Sequence, residues 1–577
     1  MSDHTAPKGL RKGLTHYGDT AFSEYLRMSF TRSMGYSKSL LTRPVVGIAS
    51  SRSDFNNCHR HFPELIEAVK RGVLAAGGLP MEFPSISLGE PFLHPTSMMF
   101  RNLMSMDVEE MIRAQPMDAV VLVGGCDKTV PAQLMGALSA GVPAIQLVGG
   151  PMMTGRHHGE RLGACTDCRR HWGRYRGGEI DQAEIEAIEG NLATTAGTCA
   201  VMGTASTMAC LAEALGMMLP GAAAIPAVHA DRLRAAEASG ARAVALAHQG
   251  LTPDRIVTQD AVENALRVLL AISGSTNAVI HLTAIAGRLG LDVDRERLNR
   301  LSAETPVLVD LKPTGAHYME DFYAAGGVQA VMYELRDLLH QDAVTVTGET
   351  IGQWMAAQAA RWVDHGVVRR REEPLLAHGG LLALKGSLAP NGALIKRAAA
   401  DPRLFEHTGR AVVFESLEDM AARIDSPCLD VEADDVLVLK HAGPKAAAMP
   451  EAGYIPIPAK LARQGVRDMV RLSDARMSGT AYGTVVLHIS PEAEAGGPLA
   501  FVRNGDRIAL SVSRQSIDLL VDEAELERRR AQWQRPARKE SRGYGWLYQE
   551  HVTQAEQGCD FDFLRAGGVG AALTEEP

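Results

Sequence analysis

Through the first two-thirds of the chain, short β-branched apolar runs alternate with longer segments whose apolar positions recur every three or four residues. That alternation predicts parallel strands joined by helices. Residues 62–78 carry the helical pattern openly: Pro63 stands where a first-turn proline belongs, Leu65, Val69 and Val73 share a face, and Gly77-Gly78 closes the segment. DAVVLVGG (118–125) and VPAIQLVGG (142–150) read as buried strands, with a helix starting near Thr129-Val130-Pro131 between them. Strand, glycine turn, helix, strand is a βαβ unit, and such units place ligand sites at the carboxyl ends of their strands.

Near 363–380 the texture changes. VRRREEPLLAHGG is charged, then punctuated by Pro and Gly, and reads as a linker or domain entry. Beyond it AVVF (411–414), DVLVLK (435–440), TVVLHIS (484–490) and the alternating RIALSVS (507–513) predict short strands in a β-rich barrel or sandwich, followed by a helix at ELERRRAQW. A chain of 577 residues exceeds one ordinary core. The expected organisation is an α/β domain over 1–375 and a smaller β-rich domain over 376–577.

Net charge of −9 gives no reason to expect nucleic acid or an anionic membrane as partner, so an anionic substrate must be held by a local site. The start, MSDHTAPKGLRKG, lacks the apolar stretch of a signal peptide, and no apolar run reaches the ~18–20 residues that span a bilayer. A cytoplasmic location with reduced thiols is therefore expected. The eight cysteines, at 58, 126, 165, 168, 199, 210, 428 and 559, are scattered and do not form a disulfide framework. Free thiols or metal ligands are the alternatives.

Three cysteines stand out by context. Cys58 lies in SRSDFNNCHRHF, Cys126 in VGGCDKTVP at a strand's carboxyl end, and Cys199 in TTAGTCAVMGTAS. Cysteine is an unusual choice for a loop unless its thiolate binds or attacks something. Three unrelated buried thiols stay open as the alternative, since loops 68 and 73 residues apart follow no metal-site spacing. Glu90, Asp127, Lys128 and Glu451 (in HAGPKAAAMPEAG) each read alone as solvated loop residues, and Ser478 in SDARMSGTAYG as a turn residue. No GxSxG elbow is present, so acyl transfer is a poor reading. Cys165-x-x-Cys168 with His171 falls short of a zinc set. Cys210 is expected in the core, as is the Met-rich GTASTMACLAEALGMMLPG; Cys428 and Cys559 carry no motif, and His94, His281 and His317 are expected to be satisfied polar residues.

SDFNNCHRHFPELIEAVKRG, GGCDKTVPAQLMGA, TTAGTCAVMGTASTM, SGSTNAVIHLTAIA, LKPTGAHYMEDFYAAGG, KGSLAPNGALIK and LSDARMSGTAYGTVVLH, in that order, resemble the dihydroxy-acid dehydratase and phosphogluconate dehydratase family over nearly the whole chain. The resemblance implies an N-terminal parallel α/β domain, a C-terminal β-barrel-like domain and a site in the cleft between them. It also implies an iron–sulfur cluster on Cys58, Cys126 and Cys199, [2Fe–2S] as in the sugar-acid branch or else [4Fe–4S], with one iron left open as a Lewis acid. Glu90, Asp127 and Glu451 would hold Mg²⁺ together with a carbamylated Lys128. Ser478 would be the base, working as an alkoxide, and Thr480 would hold the substrate carboxylate. The implied reaction converts a small 2,3-dihydroxy carboxylic acid to a 2-oxo acid and water, in a homodimer or homotetramer.

ESRGYGWLYQEHVTQAEQGCDFDFL and DCRRHWGRYRGGEIDQAEIEAIEGN resemble pentonate and hexonate dehydratases, which points to a C5 or C6 aldonate such as arabinonate, xylonate, fuconate or galactonate. Branched-chain dihydroxy acids are the second reading and phosphogluconate the third; a redox iron–sulfur protein is the alternative of a different class. Two departures stand out. The stretch before Glu451 has less glycine than the family pattern, and the chain ends GGVGAALTEEP without the terminal Ser-His pair of many sugar-acid members.

Overall fold

In the computed structural model, which describes residues 7–357, 362–537 and 540–567, four parallel strands form the first sheet. They are β1 (Val45–Ser50), β2 (Leu79–Pro84), β3 (Ala119–Gly124) and β4 (Ala144–Val148), in the order β2-β1-β3-β4. Every residue of β1, β3 and β4 is buried, which is why they read as continuous apolar runs. After β2 the winding reverses to place β3 on the other side of β1. At such a switch point the loops leaving the two carboxyl ends diverge and open a crevice.

Helix Phe62–Ala75 forms as its pattern predicts, with Pro63 in the first turn and Gly77 beyond its end at φ +86°. It packs against helix Ala230–Gln249 through reciprocal glycines. A Cβ on Gly72 would lie 1.9 Å from the Glu237 carbonyl oxygen, and one on Gly240 would lie 2.2 Å from that of Val69. Any side chain at either place would push the helices apart.

The helix between β3 and β4 begins earlier than its sequence suggests, at Cys126, and runs to Ala140. Pro131 looks like a first-turn marker but is the sixth residue, where its missing N–H forgoes only the bond to the Asp127 carbonyl. Cys126, Asp127 and Lys128 therefore form a helical first turn, not a loop.

After a small hairpin, β5 (Gly155–His157) with β6 (Glu160–Leu162), and further helices, the chain builds a closed eight-stranded barrel. Its strands are β7 (Leu382–Gly386), β8 (Ala389–Ile395), β9 (Glu406–Phe414), β10 (Val436–Leu439), β11 (Arg471–Ser473), β12 (Val485–Ser490), β13 (Arg507–Ser511) and β14 (Ser516–Leu520). They close in the order β10-β11-β12-β8-β7-β14-β13-β9, which settles barrel over sandwich. Leu384, Ile395, Val413, Val438, Val486 and Ile508 share its core. Helix Glu523–Gln532 follows, as expected.

The C-terminal segment returns to the first domain. Tyr548, Val552 and Phe561 pack with Met98, Ile280 and Met449, and buried Arg101 donates at 2.8 Å to the carbonyls of Gly558 and Cys559. Among the described residues no helix is long and apolar enough to cross a membrane. Residues 1–6 and the terminal stretch 568–577, where a Ser-His pair is missing from the sequence, lie outside the described residues.

Candidate active site

The three singled-out cysteines come from the carboxyl ends of β1, β3 and β4. Cys58 sits in the tight turn Asn57–His59, where its N–H donates to the Asn56 side chain at 3.2 Å. The neighbouring His59 stacks on Phe62 with ring centroids 4.3 Å apart, and burial lowers its pKa to about 4, so it is neutral. A Cβ on Gly125 would meet that ring at 3.2 Å, so glycine there lets the Cys58 and Cys126 turns approach. Cys199 is placed by the chain leaving β4: Thr198 N–H donates to the Gly150 carbonyl at 2.9 Å. Gly197, at φ +118°, fits where a Cβ would lie 2.7 Å from the Met152 nitrogen.

The Cys58 and Cys126 thiols are in hydrogen-bond contact, and both act electrostatically on Cys199. None is in a disulfide. Contact with Cys58, then burial, pushes the Cys126 thiol well above the ordinary range; contact with Cys165, then burial, does the same to Cys199. Thiols that act on one another in this way do not all ionise unless a cation compensates them, so the donor set suits a soft metal centre. Cys126 also stands at a helix N-terminus, where the dipole favours a thiolate.

Beside the thiols lies an oxygen-rich group. Glu90 accepts from the Thr96 hydroxyl at 2.9 Å and from the Ser97 N–H at 3.2 Å. Lys128 is fully buried and donates to Asp127. Glu451 arrives from the barrel domain. All three carboxylates face Arg476, whose guanidinium is 2.6 Å from Glu451, 2.9 Å from Glu90 and 4.0 Å from Asp127. Burial alone would raise the Glu90 carboxyl, but Arg476, Lys128 and the two hydroxyls outweigh it and hold the pKa at about 2. The turn before Glu451 keeps the shape that glycines would favour: Ala448 and Met449 both adopt left-handed backbone, at φ +56° and +52°.

Ser478 and Thr480 follow Arg476 on the same loop, their hydroxyl oxygens 2.9 Å apart. The loop is tied to the first domain. Asn277 donates to the Met477 carbonyl at 3.0 Å, Thr166 to the Thr480 carbonyl at 3.0 Å, and a Cβ on Gly479 would lie 2.6 Å from the Thr204 nitrogen. Thr204 opens the helix that follows the Cys199 loop. The named residues thus close a ring: thiols, the Cys126–Lys128 turn, carboxylates, Arg476, and the serine loop back to Cys199.

Sequence reasoning missed Arg476, the group that neutralises the site; its signal was the arginine inside SDARMSGTAYG. Arg476→Met is expected to leave the partly buried Glu90 and Glu451 without their main cation and to lower stability by about 2–3 kcal/mol. A shift in the urea unfolding midpoint checks this, with Arg476→Lys recovering part. His281 departs from the expected satisfied state. Its Nδ1 meets Arg101 at 3.1 Å, but its Nε2 is buried without a partner. Burial first, then Arg101, Lys128 and Arg476, keep it neutral. Cys210 is buried in the core, Cys559 is buried beside Met449, and Cys428 is exposed. Cys165, expected only to pair with Cys168 in a set too small for zinc, also lies 3.7 Å from the Cys199 sulfur.

The dihydroxy-acid/6-phosphogluconate dehydratase family models match here, the N-terminal one over residues 43–354 and the C-terminal one over 366–559. The chain is 50% identical to an L-arabonate dehydratase of Azospirillum brasilense over 93% of this chain and 92% of that one. It is 45% identical to a 6-deoxy-6-sulfo-D-gluconate dehydratase of Pseudomonas putida, again over 93% and 92%. A dihydroxy-acid dehydratase of Syntrophobacter fumaroxidans (strain DSM 10017 / MPOB) is 39% identical over 92% and 96%. With both family models matched in order and relatives aligned along nearly their full length, this chain is a hydro-lyase of the dihydroxy-acid/6-phosphogluconate dehydratase family.

Proposed function

We propose that the enzyme dehydrates a sugar acid, a C5 or C6 aldonate, to its 2-oxo-3-deoxy acid, using an iron–sulfur cluster on Cys58, Cys126 and Cys199 and Mg²⁺ on Glu90, Asp127, Glu451 and carbamylated Lys128. The observation that carries this reading is the single turn Cys126-Asp127-Lys128. It sets one member of the sulfur group beside two of the oxygen group.

The donor chemistry suits both groups. Three thiols leave one position of a cluster without a protein ligand, as a catalytic centre needs. As the residues stand, three carboxylates face Lys128, Arg476 and, at the edge, Arg169. Carbamylation of Lys128 would turn that cation into a fourth anion and leave the two arginines positive, a deficit that a divalent ion meets. When bound, the cluster supplies a Lewis acid for a departing hydroxyl and the magnesium one for the carboxylate and the hydroxyl on carbon 2.

The protein's residues do the rest. Ser478 Oγ, as the alkoxide, takes the proton from carbon 2 and becomes a hydroxyl; Thr480 Oγ1, 2.9 Å away, is placed to donate to that alkoxide before the transfer or to the substrate carboxylate. The bond from carbon 3 to its hydroxyl breaks, the departing hydroxide takes the proton that Ser478 accepted and leaves as water, and the enol becomes the 2-oxo acid by protonation at carbon 3. Arg169 lies 3.9 Å from Glu451 and over the Tyr454 ring, so the approach from that side is polar. A polyhydroxylated acid satisfies such groups, whereas a methyl-branched acid leaves them unpaired. Names of relatives at 45–50% identity support the same substrate class.

The test is an anaerobic assay of reconstituted protein against aldonates, 2,3-dihydroxyisovalerate and glycerate, with detection of the 2-oxo product. An aldonate should exceed dihydroxyisovalerate in kcat/KM by about tenfold or more. Preference for dihydroxyisovalerate would overturn the substrate class. Chelation of divalent ions should stop turnover while cluster absorbance persists, because the oxygen and sulfur donors are separate sets.

A further inference from the structure

Cys165 Sγ lies 3.7 Å from Cys199 Sγ, and the two backbones are held together by a 3.0 Å bond from Ala200 N–H to the Ala164 carbonyl. The segment is pinned from behind. Asp167, buried, accepts from Gly163 N–H at 2.8 Å, Lys312 at 2.9 Å and the Tyr318 hydroxyl at 2.9 Å. On its other side Cys165 borders an open groove of about 400 Å³ shared with Cys168, Arg169, Trp172 and Ile185. Small polar oxidants and thiols therefore reach Cys165 without passing through the catalytic ring. Two sulfurs 3.7 Å apart have less than about 2 Å to travel to the roughly 2.05 Å of a disulfide.

We propose that Cys165 is the redox partner of Cys199. In the cluster-free chain the two close into a reversible disulfide, which holds Cys199 below the irreversible sulfinic stage and keeps the chain able to take up a cluster again. The proposal rests on the reading of Cys199 as a cluster ligand. The oxidant is a peroxide. Cys165 sulfur attacks one oxygen of hydrogen peroxide, the O–O bond breaks, and water leaves as the sulfenic acid forms. Cys199 sulfur then attacks the sulfenic sulfur, its proton leaving with the hydroxyl as a second water. Two thiols lose two electrons and the peroxide gains them. A dithiol reductant reverses the step by exchange, ending as its own disulfide. Cys168, whose thiol donates at 2.7 Å to the Cys165 carbonyl, is the competing resolver.

The full-length chain, stripped of iron anaerobically, is treated with one equivalent of hydrogen peroxide, blocked with a maleimide and mapped by mass spectrometry without reduction. The expected product is a Cys165–Cys199 peptide pair lighter by two hydrogens. After dithiothreitol, iron and sulfide, the wild type should regain its iron content. When the peroxide is raised to several equivalents, enough for the two successive oxidations of one thiol, Cys165→Ser, which should load iron normally beforehand, should regain at least fivefold less iron than the wild type and carry sulfinic acid at Cys199. A Cys165–Cys168 link in place of the expected pair, or equal recovery by Cys165→Ser, overturns the proposal. Full iron uptake by Cys199→Ser would overturn it differently, by removing the ligand role while leaving the disulfide map to stand by itself.

Discussion

Cys126→Ser is expected to abolish bound iron, bound sulfide, visible absorbance and turnover together. Cys126 is the centre of the sulfur group: its thiol touches that of Cys58 and lies 3.5 Å from Asp127 on the next residue. A serine hydroxyl has nearly the same shape but a far higher pKa and harder oxygen, so it does not replace a thiolate on iron. The fold should survive, because Cys126 lies at the first position of its helix and its backbone is unchanged. Iron and acid-labile sulfide analysis, with circular dichroism as the control, reads the result. Cys210→Ser, in a buried helix away from the ring, should keep full iron, as should Cys165→Ser under anaerobic conditions. Full iron and sulfide in Cys126→Ser would remove the cluster assignment.

The parts of this fold that the sequence made legible are those whose burial is uniform along an element. β3 and β4 are buried at every position and read directly from VVLVG and AIQLV. The barrel was harder. β8 contains Pro390 and Gly392, which argue against a strand, but closure lets a short, interrupted segment pair on both sides. β11 is only three residues long and cannot show a period. Local signals likewise misplaced the helix start: a proline normally marks a first turn, whereas this helix carries Pro131 at its sixth residue and forgoes the bond to the Asp127 carbonyl. The candidate site residues were singled out through motif resemblance, not through spacing, because the ring draws on the ends of four strands and on two barrel loops. Contacts of that kind leave no periodic trace. Arg476 shows the cost: nothing in ARMSG announces that the arginine will meet carboxylates from positions 90, 127 and 451. Cys165 shows it again, since its neighbour Cys199 is 34 residues away.

Ser478→Ala is expected to lower kcat by about 10²–10⁴-fold with iron, magnesium dependence and KM little changed. The substitution removes one oxygen, and with it a long 3.5 Å bond from the Thr480 N–H, while the shorter ties of the loop remain. Asn277 still holds the Met477 carbonyl, Thr166 still holds the Thr480 carbonyl, and Gly479 still seats against Thr204. What is lost is one of the two loop hydroxyls that lie 2.9 Å apart, the one two residues from Arg476. His281 does not substitute for it: its ring is buried against Arg101, which holds its Nδ1 at 3.1 Å. Exchange of the carbon-2 hydrogen with solvent deuterium, measured by mass spectrometry on recovered substrate, should vanish in the variant wherever the wild type shows it. Thr480→Ala separates binding from proton transfer, because losing a donor to the carboxylate should raise KM and leave kcat largely intact. A Ser478→Ala enzyme with normal kcat and full iron would place the base elsewhere in the ring, and the Lys128 and His281 variants would then be the ones to measure.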